Sequence, residues 1–250
     1  MRRRAVAGRL IPRLARMSTE PAPPNGRARG GTAAARRRLR EAEIISATRK
    51  LFDDRGVRDA QIEDIAQAVG INRAIIYRHF TGKEELFSLT LVQYLDELRV
   101  ALSEAAETTE DPSLQLERLV EAFVDYGLAH PAFVDCAQSI MRSPGDNLLE
   151  EVSESAMYRL GQAISGCLSV LTHTIESGVT KGEFHVEDPG LLANMLYASG
   201  LGTLQLGRVA MLVSEEEPGV PRISRITAAQ VRDHMVTSAL AVAGGVPTRR

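Results

Sequence analysis

Tryptophan is absent from this 250-residue chain, aromatic residues make up only 4%, and cysteine occurs twice. With so few aromatics, an interior pocket would be walled by aliphatic and methionine side chains. That favours an acyl, terpenoid or sterol-like ligand over a planar polar one. Cys136 and Cys167 lie far apart, and neither has a Cys or His neighbour at metal-ligand spacing. They read as buried, reduced thiols of a cytoplasmic protein, with a redox-sensing disulfide as the sharper alternative. No apolar run approaches the ~18 residues needed to span a bilayer, so no membrane partner is expected. Also missing are a nucleophile–base pair, paired catalytic carboxylates, a metal cluster and a phosphate-cradling glycine loop. An enzyme, a cofactor and a metal site are therefore not expected. Asp125, His130 and Asp135, close in sequence, are accounted for as helix edges and solvated positions.

The net charge of −2 conceals a strong asymmetry. Residues 1–80 hold 18 Lys/Arg against 8 Asp/Glu, whereas residues 81–250 hold 12 against 24. A basic end on an acidic body fits a protein that touches phosphates with one part only. Residues 1–35 carry eight Arg and a Pro/Gly-rich stretch from Pro21 to Gly31. They hold too little apolar surface to offset the entropy of ordering, so they read as a disordered arm. Its apolar stretches are too short and interrupted for a secretory signal. The arm either follows a minor groove and its phosphates or is an inert tail, and Met17 offers a second possible start. Arg36, Arg37, Arg38 and Arg40 stand at the expected start of the first ordered helix, near Arg36, where they would lie beside a duplex.

Between Ile62 and Phe87 the chain reads IEDIAQAVGINRAIIYRHFTGKEELF. Ile62, Ile65, Ala66 and Val69 form one apolar helix face. Gly70 ends that helix and Asn72 caps the next. The second helix, about Arg73 to Phe80, hides Ile76 and Phe80. Outward it presents Arg73, Ala74, Ile75, Tyr77 and Arg78, with His79 at the margin. Two short helices around a tight glycine turn, with cations and a hydroxyl on the second, suit insertion into a DNA major groove. A preceding helix to about Arg55, burying Ile44, Ile45, Leu51 and Phe52 and ended by Gly56, would brace the pair into a three-helix unit. Thr81 and Glu84 have capping-box spacing, which starts a fourth helix with Lys83 in its first turn. A cation there is unfavourable unless an anion such as a DNA phosphate is near.

From about Arg36 to Phe87 the segment resembles the DNA-binding domain of the TetR family of bacterial transcription regulators. The resemblance rests on Ile65-Ala66, Gly70, Tyr77, His79-Phe80 and the Lys83-Glu84-Glu85-Leu86 run, in order and at matching spacing. It implies phosphate contacts for Tyr77 and Lys83; partial packing under the first helix is the alternative for Tyr77. Sequence reading then falls to Arg73, Ala74, Ile75 and Arg78. Either Arg pairs with guanine or holds phosphate, and Ile75 offers an apolar contact to a thymine methyl. The chain departs from the family pattern at Ile75, often Thr, and at Ala74, often Gly. It also departs at Ala60, where a capping Thr is common, which leaves Asp59 or Gln61 to cap the second helix.

From Lys83 on, the segments read as helices: Glu84–Glu107, Ser113–Ala129, Ala132–Arg142, Leu148–Gly178, Pro189–Val213 and Ala228–Ala243. Glu215 to Pro221 reads as a charged loop. The expectation is an all-α protein of about nine helices, with a reading head at 36–82 and an effector-binding and dimerisation body at 83–245. The small residues between Leu196 and Leu212 are easier to explain if another backbone approaches closely. With the final helix they suggest a four-helix homodimer interface through the last two helices, or else packing within their own chain. Pairing is also favoured because one head covers one half-site. The resemblance implies an interior effector pocket, with Tyr94, Phe123, Tyr126, Phe133, Cys136, Ile140, Met141, Met157, Cys167, Leu171 and Met195 as candidate lining. The reading is a cytoplasmic, dimeric DNA-binding regulator, a repressor released from its operator by a small apolar effector. An effector-independent activator or architectural protein with the same head is the alternative.

Overall fold

Helices dominate the computed structural model, which describes residues 27–57, 60–142 and 150–244. In chain order they are α1 (Arg27–Arg55), α2 (Ile62–Val69), α3 (Arg73–His79), α4 (Lys83–Ala106), α5 (Pro112–Ala129), α6 (Pro131–Arg142), α7 (Glu154–Lys181), α8 (Pro189–Val209) and α9 (Ala228–Gly244). Between α8 and α9 lie two strands, β1 (Leu212–Glu217) and β2 (Val220–Ser224). The fold is all-α in class, with a short helical bundle at the N-terminal end and a larger one after it. No helix among the described residues is long and apolar enough to cross a membrane.

The chain divides into two compact units, one up to Arg40 and one from Glu41 onward. In the first, residues 27–40 are helical. Helix thus begins nearer Arg27 than the expected Arg36, and the disordered arm read for residues 1–35 is corrected over 27–35. Ala33, Ala34, Ala35 and the arginines after them are among the best helix formers, and that propensity carries the helix back through Gly30 and Gly31. Residues 1–26, the rest of the expected arm, lie outside the described residues.

In the second unit one hydrophobic cluster runs from the small bundle into the large one. Ile44, Ile45, Leu51 and Phe52 of α1 are buried together with Ile62, Ile65, Ala66, Ile76 and Phe80. Phe52 meets Phe87 of α4 edge-on, with ring centroids 4.6 Å apart, so α4 joins both bundles. A polar seam follows. The Tyr94 hydroxyl donates to Asp53 Oδ1 at 2.7 Å, and the Tyr126 hydroxyl donates to the Tyr94 carbonyl at 2.9 Å. Arg49 lies 4.4 Å over the Tyr94 ring and pairs with Glu97. Beyond the seam α4 packs on α5 and α7, and α9 packs on α5.

Helix starts follow local chemistry. Asp111 and Asp188 each accept from the backbone N–H three residues on, at 2.9 and 2.8 Å, and a proline follows each of them. Ser153 caps α7 by accepting from the Ala156 N–H, so that helix begins at Glu154 rather than the expected Leu148. The expected loop at Glu215 to Pro221 is instead a hairpin, in which Val213 opposes Ile223 and Ser214 opposes Arg222. Val213, Val220 and Ile223 favour extended backbone, and Gly219 supplies the left-handed turn at φ 83°. The run of glutamates at 215–217 had hidden this short pattern.

Candidate nucleic-acid interface and effector cavity

The second and third helices owe their geometry to Gly70. Its φ of 70° is left-handed, and its N–H and that of Ile71 close the end of α2 on the Gln67 and Ala66 carbonyls at 3.1 and 2.9 Å. Two residues later the Asn72 side chain accepts from the Ala74 N–H at 2.9 Å and starts α3. At the start of α2, Gln61 is the N-cap and its N–H donates to Asp64 Oδ2 at 3.2 Å. Asp59, the other expected cap, lies outside the described residues.

Helix α3 buries Ile76 and ends on the buried Phe80. Its opposite side exposes Arg73, Ala74, Tyr77 and Arg78, while Ile75 and His79 are half-buried. Tyr77 is 49% exposed, leaving about half of the side chain open to solvent. Arg73 pairs with Glu63 of α2 at 2.5 Å, and its guanidinium is 5.9 Å from the Tyr77 ring centre. Backbone hydrogen bonding and Arg73 together hold the Glu63 carboxyl below its ordinary pKa. Water screens so exposed a pair, so a phosphate or guanine can displace Glu63 readily. His79 Nδ1 lies 3.4 Å from Glu41 Oε1 and faces its own fold. Arg36 is exposed and Arg40 half-buried, both on the N-terminal stretch of α1 and both with partners within the protein.

Lys83 is the first residue of α4, half-buried, with Nζ 4.9 Å from the Phe87 ring centre. The expected capping box of Thr81 and Glu84 does not form. Gly82 is the N-cap, and Glu85 accepts from the Thr81 N–H instead. Glu85 is only 6% exposed and also accepts from the Ser153 hydroxyl, while the Thr81 hydroxyl donates to the Glu151 carbonyl at 2.8 Å. The turn before α4 is thereby tied to the start of α7. Sequence spacing favours Glu84 because a partner 68 residues away leaves no local signal.

A cavity of about 170 Å³ lies among α4, α5, α7, α8 and α9. Phe123, Cys167 and Leu171, three of the expected lining residues, border it. The others do not. Tyr94, Phe133 and Cys136 are buried elsewhere in the core, Tyr126 belongs to the polar seam, and Ile140 and Met157 are half-buried against the core. Met141 and Met195 are 55% and 61% exposed. Unanticipated lining comes from Leu98 and Leu102 of α4, Tyr197 and Thr203 of α8, and His234 and Met235 of α9. Leu98 and Leu102 follow the same apolar spacing as the core residues of α4, and apart from Met195 the last two helices are read from sequence as a self-association surface. The Cys167 thiol donates to the Leu95 carbonyl at 3.2 Å, and burial pushes its pKa up to about 12. Burial raises the Cys136 pKa as well, so both thiols are poor nucleophiles at neutral pH.

The glycines of α8 have separate uses. A Cβ on Gly200 would sit 2.7 Å from Phe123 Cε1 and 2.9 Å from Met235 Cε, and one on Gly207 would sit 3.1 Å from Val231. Both admit neighbours of their own chain. Gly202 is exposed, with nothing within 4 Å of that point.

A glycine-turned helix pair presenting cations and a phenol, continuous with a helical body, defines the helix-turn-helix class. Residues 44–89 match the family described as "Bacterial regulatory proteins, tetR family". That segment is similar to the DNA-binding domain of TetR-family regulators. It is 33% identical over 87 residues to the HTH-type transcriptional activator FasR of Mycolicibacterium smegmatis, a match over 35% of this chain and 40% of that relative. With the HTH-type transcriptional repressor KstR2 of Mycobacterium tuberculosis it shares 28% identity over 152 residues, 59% of this chain and 72% of that one. Among solved structures, RolR in complex with resorcinol superposes with a TM-score of 0.61 at 17% identity, over 84% of this chain and 90% of that one. A tetR-family protein from Rhodococcus RHA1 gives 0.58 at 19% identity, over 82% and 97%. These likenesses place the fold. The relatives are named as regulators of transcription, and no enzyme is among them.

Proposed function

We propose that this chain is a homodimeric repressor that binds a two-fold symmetric double-stranded DNA operator and is released by a small apolar effector. The observation that carries the reading is the exposed face of α3, where Arg73, Tyr77 and Arg78 project together from a helix anchored by Ile76 and Phe80. Arg73, Ala74, Ile75 and Arg78 read bases, and Tyr77 and Lys83 hold phosphates, with Arg36, Arg40 and His79 in support. Residues 36–82 serve as the head, residues 83–245 as the body, and α8 and α9 as the dimer interface, in the cytoplasm where the chromosome lies. RolR's resorcinol and the naming of KstR2 as a repressor favour a ligand-released repressor here too. FasR, named an activator, is the observation favouring the opposite sign of regulation.

Coupling follows from α4 and α7. Leu98 of α4 borders the cavity, and Lys83 begins the same helix about 22 Å away at ~1.5 Å per residue. Cys167 and Leu171 of α7 border the cavity too, and Ser153 at the head of α7 holds Glu85. A ligand that parts α4 from α7 thus tilts the end of α4 nearest the reading helix. A tilt of ~5° over that length displaces Lys83 by ~2 Å. Two heads that must meet two half-sites at once lose their joint affinity when their spacing changes. DNase footprinting on the DNA upstream of the chain's own gene, with a salt titration, tests the reading. A symmetric protected site that weakens steeply with salt is expected; weak, unlocalised binding would remove autoregulation by this protein.

A further inference from the structure

The Tyr197 hydroxyl makes no hydrogen bond to any described residue, although the side chain is partly buried and borders the cavity. Its ring stands edge-on to Phe123, with centroids 6.0 Å apart, and burial raises its pKa well beyond that of a free phenol. A half-buried phenol hydroxyl with no bond to the protein, in a lining that is mostly apolar, is free to bond a ligand. The rest of the lining narrows what that partner is. Leu98, Leu102, Leu119, Leu168 and Met235 make the wall apolar, and no Lys, Arg, Asp or Glu borders the space. A buried ammonium would be left without a counter-charge there, and a carboxylate would find only His234 at the exposed edge, which disfavours free acids and amines in the leucine-walled interior. Size narrows it further. At about 170 Å³ the cavity is close to the ~150 Å³ of an engineered apolar cavity that takes up benzene. Ser199 of α8 and His234 of α9 are the exposed members of the lining.

We propose that the cavity binds a small neutral molecule with one apolar ring and one oxygen function, and that the Tyr197 hydroxyl hydrogen-bonds that oxygen. This rests on the reading of the cavity as the effector site and adds the chemical class of its ligand. Tyr197 recognises the oxygen, while the leucine wall and Phe123 recognise the ring.

Phenol and toluene are matched probes, since they exchange a hydroxyl for a methyl on the same ring, and benzoate adds the charged case. Calorimetric titration of the full chain should show phenol binding about tenfold more tightly than toluene, the worth of one buried hydrogen bond, and benzoate more weakly than either. In Tyr197→Phe the preference for phenol should vanish while toluene binds as before, which also shows that the variant is folded. Equal affinity for phenol and toluene in the unaltered protein overturns the proposal. So does an equal loss of both probes in the variant, or no binding of either. Phenol that binds through Tyr197 but leaves operator DNA in place upholds the ligand class and refutes the effector reading alone.

Discussion

Removing one oxygen from Tyr94 tests the seam between the small and large bundles. Tyr94 is fully buried, its hydroxyl donates to Asp53 Oδ1 at 2.7 Å, and its ring lies beneath Arg49. Tyr94→Phe keeps the ring, its contact with Phe133 and the carbonyl that accepts from Tyr126, and deletes only the donor. A hydrogen bond to a charged acceptor is worth ~1.5–3 kcal/mol. Asp53 retains Arg49 at 3.8 Å, and its side chain is 38% exposed, so water replaces part of the lost bond. The expected loss is therefore ~1–2 kcal/mol, or about 2–8 °C in Tm at the ~2–4 °C per kcal/mol of a domain of this size. Urea melts and calorimetry at a fixed protein concentration measure it. A change below ~0.3 kcal/mol would show that the bond is idle. A loss of ~3–5 kcal/mol, the size of an emptied core position, would show that the ring itself had moved.

Three further outcomes follow from other positions. Lys83→Ala weakens binding to operator and random DNA alike and lowers the salt slope by about 1; a loss confined to the operator would reassign Lys83 to base reading. Ser153→Ala frees one side of Glu85, so effector should release DNA less completely while effector-free affinity stays within about twofold; unchanged release would place the coupling outside α7. Gly200→Ala, pressed on Phe123, should lose ~1 kcal/mol of stability, whereas Gly202→Leu, open in the single chain, should weaken self-association at least about tenfold by sedimentation equilibrium. Association unaffected by Gly202→Leu would move the interface off this face of α8.

How much of this was legible beforehand tracks how local each signal is. Gly70, Asn72 and the Ile76–Phe80 pair specify their turn and helix within about ten residues, and the reading head follows the sequence closely. Pro112 and Pro189 likewise mark their helix starts beside capping aspartates. Glu85 could not be chosen over Glu84 by spacing, because Ser153 and Glu151 arrive from another helix. The cavity needed five helices to be placed before any lining residue could be told from core. Tyr94 and Phe133 have the composition of a pocket wall but sit where packing is complete. Tyr197 carries no distinguishing pattern at all; only the missing partner of its hydroxyl marks it.

Selection from a random double-stranded DNA library by the full chain addresses the central claim directly. Enrichment of an inverted repeat whose half-sites are spaced for two successive major grooves is expected, lost when Arg73 and Arg78 are both changed to Ala. Enrichment of no common sequence, or of one that survives that double change, would contradict the claim.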